Sequence, residues 1–181
     1  FKEFKKEKLD ALLLSTSETL LHKDYPEILK MAEEAEIMDQ FLFTNGTLLN
    51  EKNSRLILNS SLTRVFISID AATNETYDKV RIPVNKKIIN TNRLNQIEKN
   101  VKNFMKLRNS LGKKIPLVRV SFVALESNQH EIDDFIKKWE NIVDSVEIQK
   151  ESSIDFYKDF DKSIDINNEK KFKRYNCNQP W

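Results

Sequence analysis

Polar side chains follow the apolar runs of this sequence, at the point where each run ends. They are Ser15-Thr16-Ser17-Glu18-Thr19, Thr44-Asn45-Gly46-Thr47, Ser68 with Asp70, Leu125-Glu126 and Gln149-Lys150. Hydroxyl, amide and carboxylate groups of this kind bind polar small molecules and pair with cationic ones. Each also has an ordinary role, since Ser/Thr runs and Asn-Gly form turns and an aspartate caps a helix. Only a fold that brings them together would make one polar pocket.

Other candidate sites are weaker. His22 and His130 lack the spacing that puts two metal ligands on one helical face, so we expect no zinc site. Cys177 has no neighbouring histidine, and no serine lies in a Gly-x-Ser-x-Gly elbow, so a hydrolase triad has no support. Gly46 and Gly112 are too far apart to form a phosphate-binding loop.

The composition and charge limit the classes of protein to which this chain can belong. The 181 residues are 39% hydrophobic and 32% charged, which suffices for one domain with a core. A formal net charge of +2 gives no reason to expect a nucleic-acid or membrane partner. The chain has one cysteine and no visible secretory leader, so we expect a cytoplasmic protein. Phe1–Lys8 has the pattern of a helix already under way, and we expect the chain to be cut from something longer.

Short β-branched runs alternate with amphipathic stretches of helix length. The predicted strands are Ala11–Leu14, Gln40–Phe43, Val65–Ile69, Leu117–Val123 and Val146–Gln149. The predicted helices are Tyr25–Ala35 with Asp24 as N-cap, Glu51–Asn59, Asn92–Leu111 ended by Gly112, and His130–Val143 with Asn128 and Glu131 as a capping-box pair. Such alternation predicts an α/β fold with a parallel sheet, either open and doubly wound or part of a barrel. The stretch 151–181 has the composition of a linker or tail.

In a parallel sheet, the polar residues that follow the strands lie along one edge. Ligands of such folds bind at the carboxyl ends of the strands, where the polar clusters of this sequence lie. Ser68 and Asp70 are two residues apart and are expected on one face of their strand. The sequence therefore predicts one polar pocket along this edge.

Several motifs in this order resemble those of radical S-adenosylmethionine enzymes. They are Thr16-Ser17-Glu18-Thr19-Leu20-Leu21 in place of Gly-Gly-Glu-Pro-Leu-Leu, Thr44-Asn45-Gly46, Ser68-Ile69-Asp70 with Thr76-Tyr77-Asp78-Lys79-Val80-Arg81, the later strands Pro116–Val123 and Val146–Gln149, and Cys177-Asn178-Gln179-Pro180-Trp181. The last resembles the start of a SPASM extension, which holds auxiliary iron–sulfur clusters. The resemblance implies a partial (β/α)6 barrel at 1–150 that has strands two to six and lacks the first, and a tail at 151–181 that enters the extension.

The same resemblance implies roles for particular residues. Ser17, Glu18 and Thr19 would face the amino group of S-adenosylmethionine. Ser68 and Asp70 would lie near its ribose and carboxylate, and Asn45 and Gln149 would line the cavity. Cys177 would be a metal ligand of the extension. A carboxylate partner for the ammonium is physically sensible, because a desolvated cation must be paired.

The implied activity is reductive cleavage of S-adenosylmethionine to a 5′-deoxyadenosyl radical at a [4Fe–4S] cluster, with flavodoxin or ferredoxin as reductant and a peptide or small metabolite as substrate. The sequence departs from the family in lacking the Cys-x-x-x-Cys-x-x-Cys loop, and in having Thr16, Ser17 and Thr19 for two glycines and a proline. Three hypotheses remain: a fragment of such an enzyme, inactive alone; a degenerate, catalytically inactive domain that serves as a binding or partner subunit; and an unrelated α/β binding module. A barrel without its first strand has an open edge, so we expect marginal stability or self-association.

Overall fold

The computed structural model describes residues 2–7, 9–14, 18–82 and 92–150 of the chain. The strands in these ranges are β1 Ala11–Leu14, β2 Asp39–Thr44, β3 Arg64–Ser68, β4 Leu117–Ala124 and β5 Ser145–Lys150. The helices are α1 Lys2–Glu7, α2 Tyr25–Glu34, α3 Glu51–Leu58, α4 Asn74–Val80, α5 Arg93–Ser110 and α6 Ile132–Trp139, with short 3-10 turns at Thr19–Leu21 and Gln129–Glu131. The predicted tail, 151–181, lies outside the described residues.

The five strands form one parallel sheet whose spatial order is the order of the sequence, β1-β2-β3-β4-β5. Each strand is joined to the next by a connection that contains at least one helix, because parallel neighbours need a crossover. This confirms the predicted α/β class and parallel sheet, and it is consistent with a partial barrel. All the predicted strand ends lie within one residue of the observed ones.

The two faces of the sheet differ in composition. One face carries aliphatic side chains with no exposed surface, and these pack in one cluster with the apolar sides of the helices. They include Leu42, Val65, Ile67, Val118 and Val120. Each buried aliphatic side chain contributes about 1.5–3 kcal/mol. Alternation places the remaining strand residues on the opposite face, where the aromatic rings are only half-buried.

Three predicted helix ends can be compared with the ends that the structure shows. Gly112, with φ of 65°, ends α5: its N–H donates to Asn109 O, and the next N–H donates to Arg108 O. Asp24 lies at the N-cap of α2 but makes no side-chain capping bond. The predicted helix over His130–Val143 is present with shorter bounds, Ile132 to Trp139. Its predicted capping-box start is wrong, because Asn128 makes no side-chain capping bond and Glu131 binds the residues after β3.

Sequence reasoning gave no helix at Asn74–Val80. This helix, α4, has seven residues, too few for an apolar period to stand out. The signal that could have found it is Thr73, whose Oγ1 accepts from Thr76 N at 3.3 Å as an N-cap. No helix in the described ranges has the length and apolar character needed to cross a bilayer.

An ion pair joins α5 to the amino end of the sheet. Arg108 is 6% exposed, and its Nη1 and Nη2 donate to the Asp144 carboxylate at 2.5 and 3.0 Å. Arg108 also donates to Pro116 O at 3.0 Å, and Asp144 accepts from Val118 N at 2.6 Å. The pair therefore holds α5 and the starts of β4 and β5 together.

The Asp144 carboxyl makes the stability of the fold depend on pH. Burial acts to raise the pKa of Asp144, but the hydrogen bonds from Arg108 and Val118 outweigh it, and the pKa lies below its usual range. A group whose pKa is lowered on folding stabilises the fold above its unfolded pKa of about 4, and this contribution is lost as pH falls through the folded value. We expect the free energy of unfolding to fall between about pH 5 and pH 3, and Asp144→Asn to flatten that fall. Urea unfolding at several pH values measures both slopes, and equal slopes would contradict the assignment.

Candidate functional site

The Glu18 carboxylate links the loop after β1 to the end of β2. One oxygen, Oε1, accepts from Thr44 Oγ1 at 2.7 Å and from Leu20 N at 3.4 Å. The other, Oε2, accepts from Asn45 N at 2.7 Å. A carboxylate oxygen can accept two hydrogen bonds, so Oε2 keeps capacity for one more donor. Glu18 is thus held in place and can still pair with a cation.

The next two predicted site residues lie beside Glu18. Thr19 is 7% exposed, and its Oγ1 donates to Leu14 O at 3.1 Å, at the end of β1. Asn45 is half-buried, and its Oδ1 accepts from Thr47 N at 2.9 Å and from Thr47 Oγ1 at 2.5 Å. The side chains of both residues therefore stabilise the loops in which they lie, which is the ordinary turn-forming role of these motifs.

Gly46 allows β2 to end beneath α5. Its φ is 78°, and a β-carbon at this position would lie 3.0 Å from Ile97 Cγ2 and 3.1 Å from Ile67 Cγ2. The Gly46 carbonyl oxygen accepts from Asn100 Nδ2 at 2.9 Å. The Thr-Asn-Gly motif thus combines a left-handed turn with close packing against α5.

Ser68 and Asp70 take different positions at the end of β3. Ser68 is the last residue of the strand and pairs in register with Ser121, with 3.5 Å between the two Oγ atoms. Asp70 lies beyond the strand with φ of 64°, so the expectation that alternation puts the two side chains on one strand face is wrong. The Asp70 carboxylate accepts from Val123 N at 2.8 Å and pairs with Arg81.

Gln149 lies on β5, in register with Val123 of β4. Its side chain is exposed, and Nε2 donates to Glu147 Oε2 at 2.9 Å. Glu147 also pairs with Arg119 Nη1 at 3.0 Å. Glu147 and Arg119 are polar residues that sequence reasoning missed, because each lies inside a strand rather than after one.

Aromatic rings lie on the same face as Arg119. Phe66 is 5.8 Å from Phe41 and 4.8 Å from Phe43 between ring centroids. The Arg119 guanidinium carbon lies 3.8 Å from the Phe66 centroid, which is close enough for a cation–π contact. This face therefore changes from aromatic residues in the middle of the strands to polar residues, including Ser68 and Gln149, at their carboxyl ends. The period-two alternation of β2 and β3 is the signal that could have found it.

Tyr25, at the start of α2, lies close enough to Glu18 to respond to its charge. Burial raises the pKa of the Tyr25 hydroxyl far above its usual range, and the Glu18 carboxylate adds to this. Tyr25 is therefore a neutral phenol at neutral pH. The charge at this corner of the site comes from Glu18.

Two of the predicted site residues, Ser17 and Cys177, lie outside the described residues. Among the others, the structure places Glu18, Thr19 and Asn45 together at one corner. Ser68 and Asp70 lie next to them, at the end of β3. Gln149 lies further along the same edge, on β5. Among the described residues, no group of three His, Cys, Asp or Glu side chains could hold a metal ion. The 181 residues contain one cysteine, which does not fit the three thiolates that a [4Fe–4S] cluster of this kind needs.

The chain is similar to proteins of known class. A probable GTP 3′,8-cyclase from Methanococcus maripaludis is 38% identical over 69 residues, which is 38% of this chain and 23% of that protein. Streptococcus suis SuiB bound to S-adenosylmethionine superposes with a TM-score of 0.63 at 16% identity, over 86% of this chain and 33% of that one. SuiB bound to its precursor peptide SuiA gives 0.58 at 17% identity, over 81% and 29%.

These relatives are much longer than this chain of 181 residues. The chain spans 23% of the cyclase and 33% of SuiB, so the comparisons bear on the fold and the family. The sequence model of the radical SAM superfamily matches residues 1–138, about three quarters of the chain. The order of motifs along the sheet and this match lead to the same result: the chain belongs to the radical SAM superfamily.

Proposed function

We propose that residues 11–150 form the S-adenosylmethionine-binding part of a radical SAM enzyme. The observation that carries the proposal is the Glu18 carboxylate, which is anchored by Thr44 and Asn45 and keeps acceptor capacity at the carboxyl edge of a parallel sheet. The methionine part of S-adenosylmethionine carries an ammonium group that needs such an acceptor. Family membership and the S-adenosylmethionine complex of SuiB support the choice of ligand.

The residues present fit this ligand by their chemistry. Glu18, with the adjacent Ser17 and Thr19, would take the ammonium group. The Ser68 hydroxyl would take a ribose or carboxylate oxygen, and Asn45 and Gln149 would line the cavity. Asp70 is engaged with Arg81 and Val123 N, so we assign it the task of holding the end of β3 beneath the ligand.

In a parent enzyme that holds a [4Fe–4S] cluster and receives an electron from a reductant, S-adenosylmethionine would be cleaved to methionine and a 5′-deoxyadenosyl radical, which would remove a hydrogen atom from the substrate. We derive no step through the iron–sulfur cluster, because these 181 residues do not hold its thiolates. The half-buried aromatic face with Arg119 and Glu147 would form a wall of the substrate cavity. A peptide is the substrate class that the SuiA complex of SuiB supports.

A second candidate is a degenerate domain that binds a ligand or partner without catalysis. The departures at Thr16, Ser17 and Thr19 favour it, because β-carbons restrict the close backbone approach that glycines allow. Both candidates place a ligand at the same edge. They differ in whether S-adenosylmethionine binds there.

Glu18→Ala is expected to weaken S-adenosylmethionine binding by at least tenfold (~1.4 kcal/mol), because it removes both the charge and the anchor of Asn45. Glu18→Gln keeps an acceptor oxygen for Asn45 N, and its amide NH2 can donate to the Thr44 hydroxyl, so it is expected to lose only the charge contribution. Isothermal titration of the full chain with S-adenosylmethionine measures both. Glu27→Ala, on the exposed first turn of α2, is the matched control and is expected to bind normally. Absence of binding by the unchanged chain would favour the degenerate domain.

A further inference from the structure

Asn128, in the loop between β4 and α6, reaches across to the chain that leaves β3. It has no exposed surface, and its Nδ2 donates to the carbonyl oxygens of Asp70 and Val123, both at 2.9 Å. Its Oδ1 accepts from Leu125 N at 2.7 Å. One side chain therefore fixes the end of β3, the end of β4 and its own loop.

Glu131, from the same loop, binds the residues that follow. We call residues 70–76 the β3 exit segment. Glu131 is 5% exposed. Its carboxylate accepts four hydrogen bonds from this segment. Oε2 accepts from Ala72 N at 2.6 Å and Thr73 N at 3.2 Å, and Oε1 accepts from Thr73 Oγ1 at 2.5 Å and Thr76 Oγ1 at 2.7 Å.

The β3 exit segment is also held from α6. Lys138 Nζ donates to Ala72 O at 2.5 Å and pairs with Glu98 at 2.6 Å. The N–H and the carbonyl of Ala72 are thus bound by side chains of opposite charge, Glu131 and Lys138. Asp70 begins the segment in a left-handed conformation, which is held in place by its surroundings because L residues do not prefer it.

A buried carboxylate is an inefficient way to stabilise a core, because desolvation offsets much of what its hydrogen bonds contribute. A fully satisfied polar network does, however, select one arrangement of the groups that it joins. Here the groups joined are the exit from β3 and the loop after β4. Ser68, which we assign to the ribose or carboxylate side of the ligand, lies directly before this network, and Asp70 belongs to the network through its carbonyl oxygen.

We propose that Glu131 and Asn128 are positioning residues of the S-adenosylmethionine site, which hold the β3 exit segment, with Asp70 at its start, so that Ser68 is preorganised for the ligand. This inference rests on the function proposed above. Neither side chain is assigned a contact with the ligand. Their effect on binding comes from removing the ordering that the segment would otherwise undergo on binding.

The test is titration of the full chain with S-adenosylmethionine, for the unchanged protein and for a graded pair of variants. Glu131→Ala removes all four acceptors and is expected to weaken binding about tenfold or more. Glu131→Gln keeps an acceptor for Ala72 and Thr73, and its amide can donate to the two threonine hydroxyls, so recovery to within about threefold of the unchanged protein is expected. Hydrogen exchange at the amides of Ala72 and Thr73 should be faster in Glu131→Ala and nearly restored in Glu131→Gln.

Two controls separate positioning from stability. Asp144→Asn weakens a comparable carboxylate network at the opposite, amino end of the sheet, and it should lower the urea midpoint while S-adenosylmethionine affinity stays within about twofold. Glu75→Ala removes an exposed charge from α4 and should change neither. Equal loss of affinity in Asp144→Asn and Glu131→Ala overturns the inference, because binding would then follow stability alone.

The remaining outcomes are also decisive. Unchanged affinity in a folded Glu131→Ala overturns the inference and leaves the proposed function intact. Failure of the unchanged protein to bind overturns the proposed function, and the inference with it. Where Glu131→Ala does not fold, Thr76→Val removes one of the four hydrogen bonds and keeps the volume. Weaker binding is then expected, and unchanged affinity in Thr76→Val overturns the inference.

Discussion

Replacing Asp144 by alanine is expected to lower the free energy of unfolding by about 3 kcal/mol, the largest effect that the structure predicts for a charged residue. The variant leaves the guanidinium of Arg108, which is 6% exposed, without its carboxylate partner. It also leaves Val118 N without its acceptor at the start of β4. Urea unfolding followed by circular dichroism at pH 7 measures the change.

The control for Asp144→Ala is Glu51→Ala, which breaks an Arg–carboxylate pair of similar length, Arg55–Glu51 at 2.8 Å, on the surface of α3. Exposed pairs contribute about 0.5 kcal/mol or less. The double variant Asp144→Ala/Arg108→Met should recover part of the loss, because no unpaired charge stays buried. A loss below about 1 kcal/mol in Asp144→Ala would show that the buried guanidinium of Arg108 does not depend on the Asp144 carboxylate.

Gly46→Ala is expected to lower the free energy of unfolding by about 3 kcal/mol, from two causes. The φ of 78° is unfavourable for any residue with a β-carbon. The added methyl would also lie 3.0 Å from Ile97 and 3.1 Å from Ile67, both fully buried, so the packing between α5 and β3 must shift. The midpoint and slope of urea unfolding give the change.

Gly112→Ala separates these two causes. Gly112 has a similar φ of 65°, but a β-carbon there would meet no atom within 4 Å. We expect it to lose about 1 kcal/mol, from the backbone alone. Equal losses in Gly46→Ala and Gly112→Ala would show that the contacts with Ile97 and Ile67 contribute nothing.

The sheet could be predicted from the sequence because its signal is local. Strands β2 to β5 are short runs that contain β-branched or aromatic residues, β1 is a short run of alanine and leucines, and polar residues mark where each strand ends. The long helix α5 was equally clear, since its apolar residues recur at helical spacing and Gly112 stops it. The seven-residue helix α4 was not found, because two turns contain too few apolar positions to define a period.

The candidate site was predictable only in part. The residues after β1 and β2 were named from their types, and Glu18 and Asn45 do lie in contact. The bonds that join Asp70 to Val123, Asn128 to Asp70 and Glu131 to Ala72 were not predictable, because each of these three joins residues more than fifty positions apart. The spacing of Asn128 and Glu131 also fits a capping box. The sequence alone therefore could not distinguish a cap from the long-range contacts that these residues make.

The strand order of the sheet has a consequence for how the chain reaches its fold. Since every strand pairs with the one before it in the sequence, each can add to an edge that earlier residues have already built. A ribosome releases residues in that same order. The sheet can therefore grow one strand at a time during synthesis, and each new strand adds to the edge of the strand most recently completed.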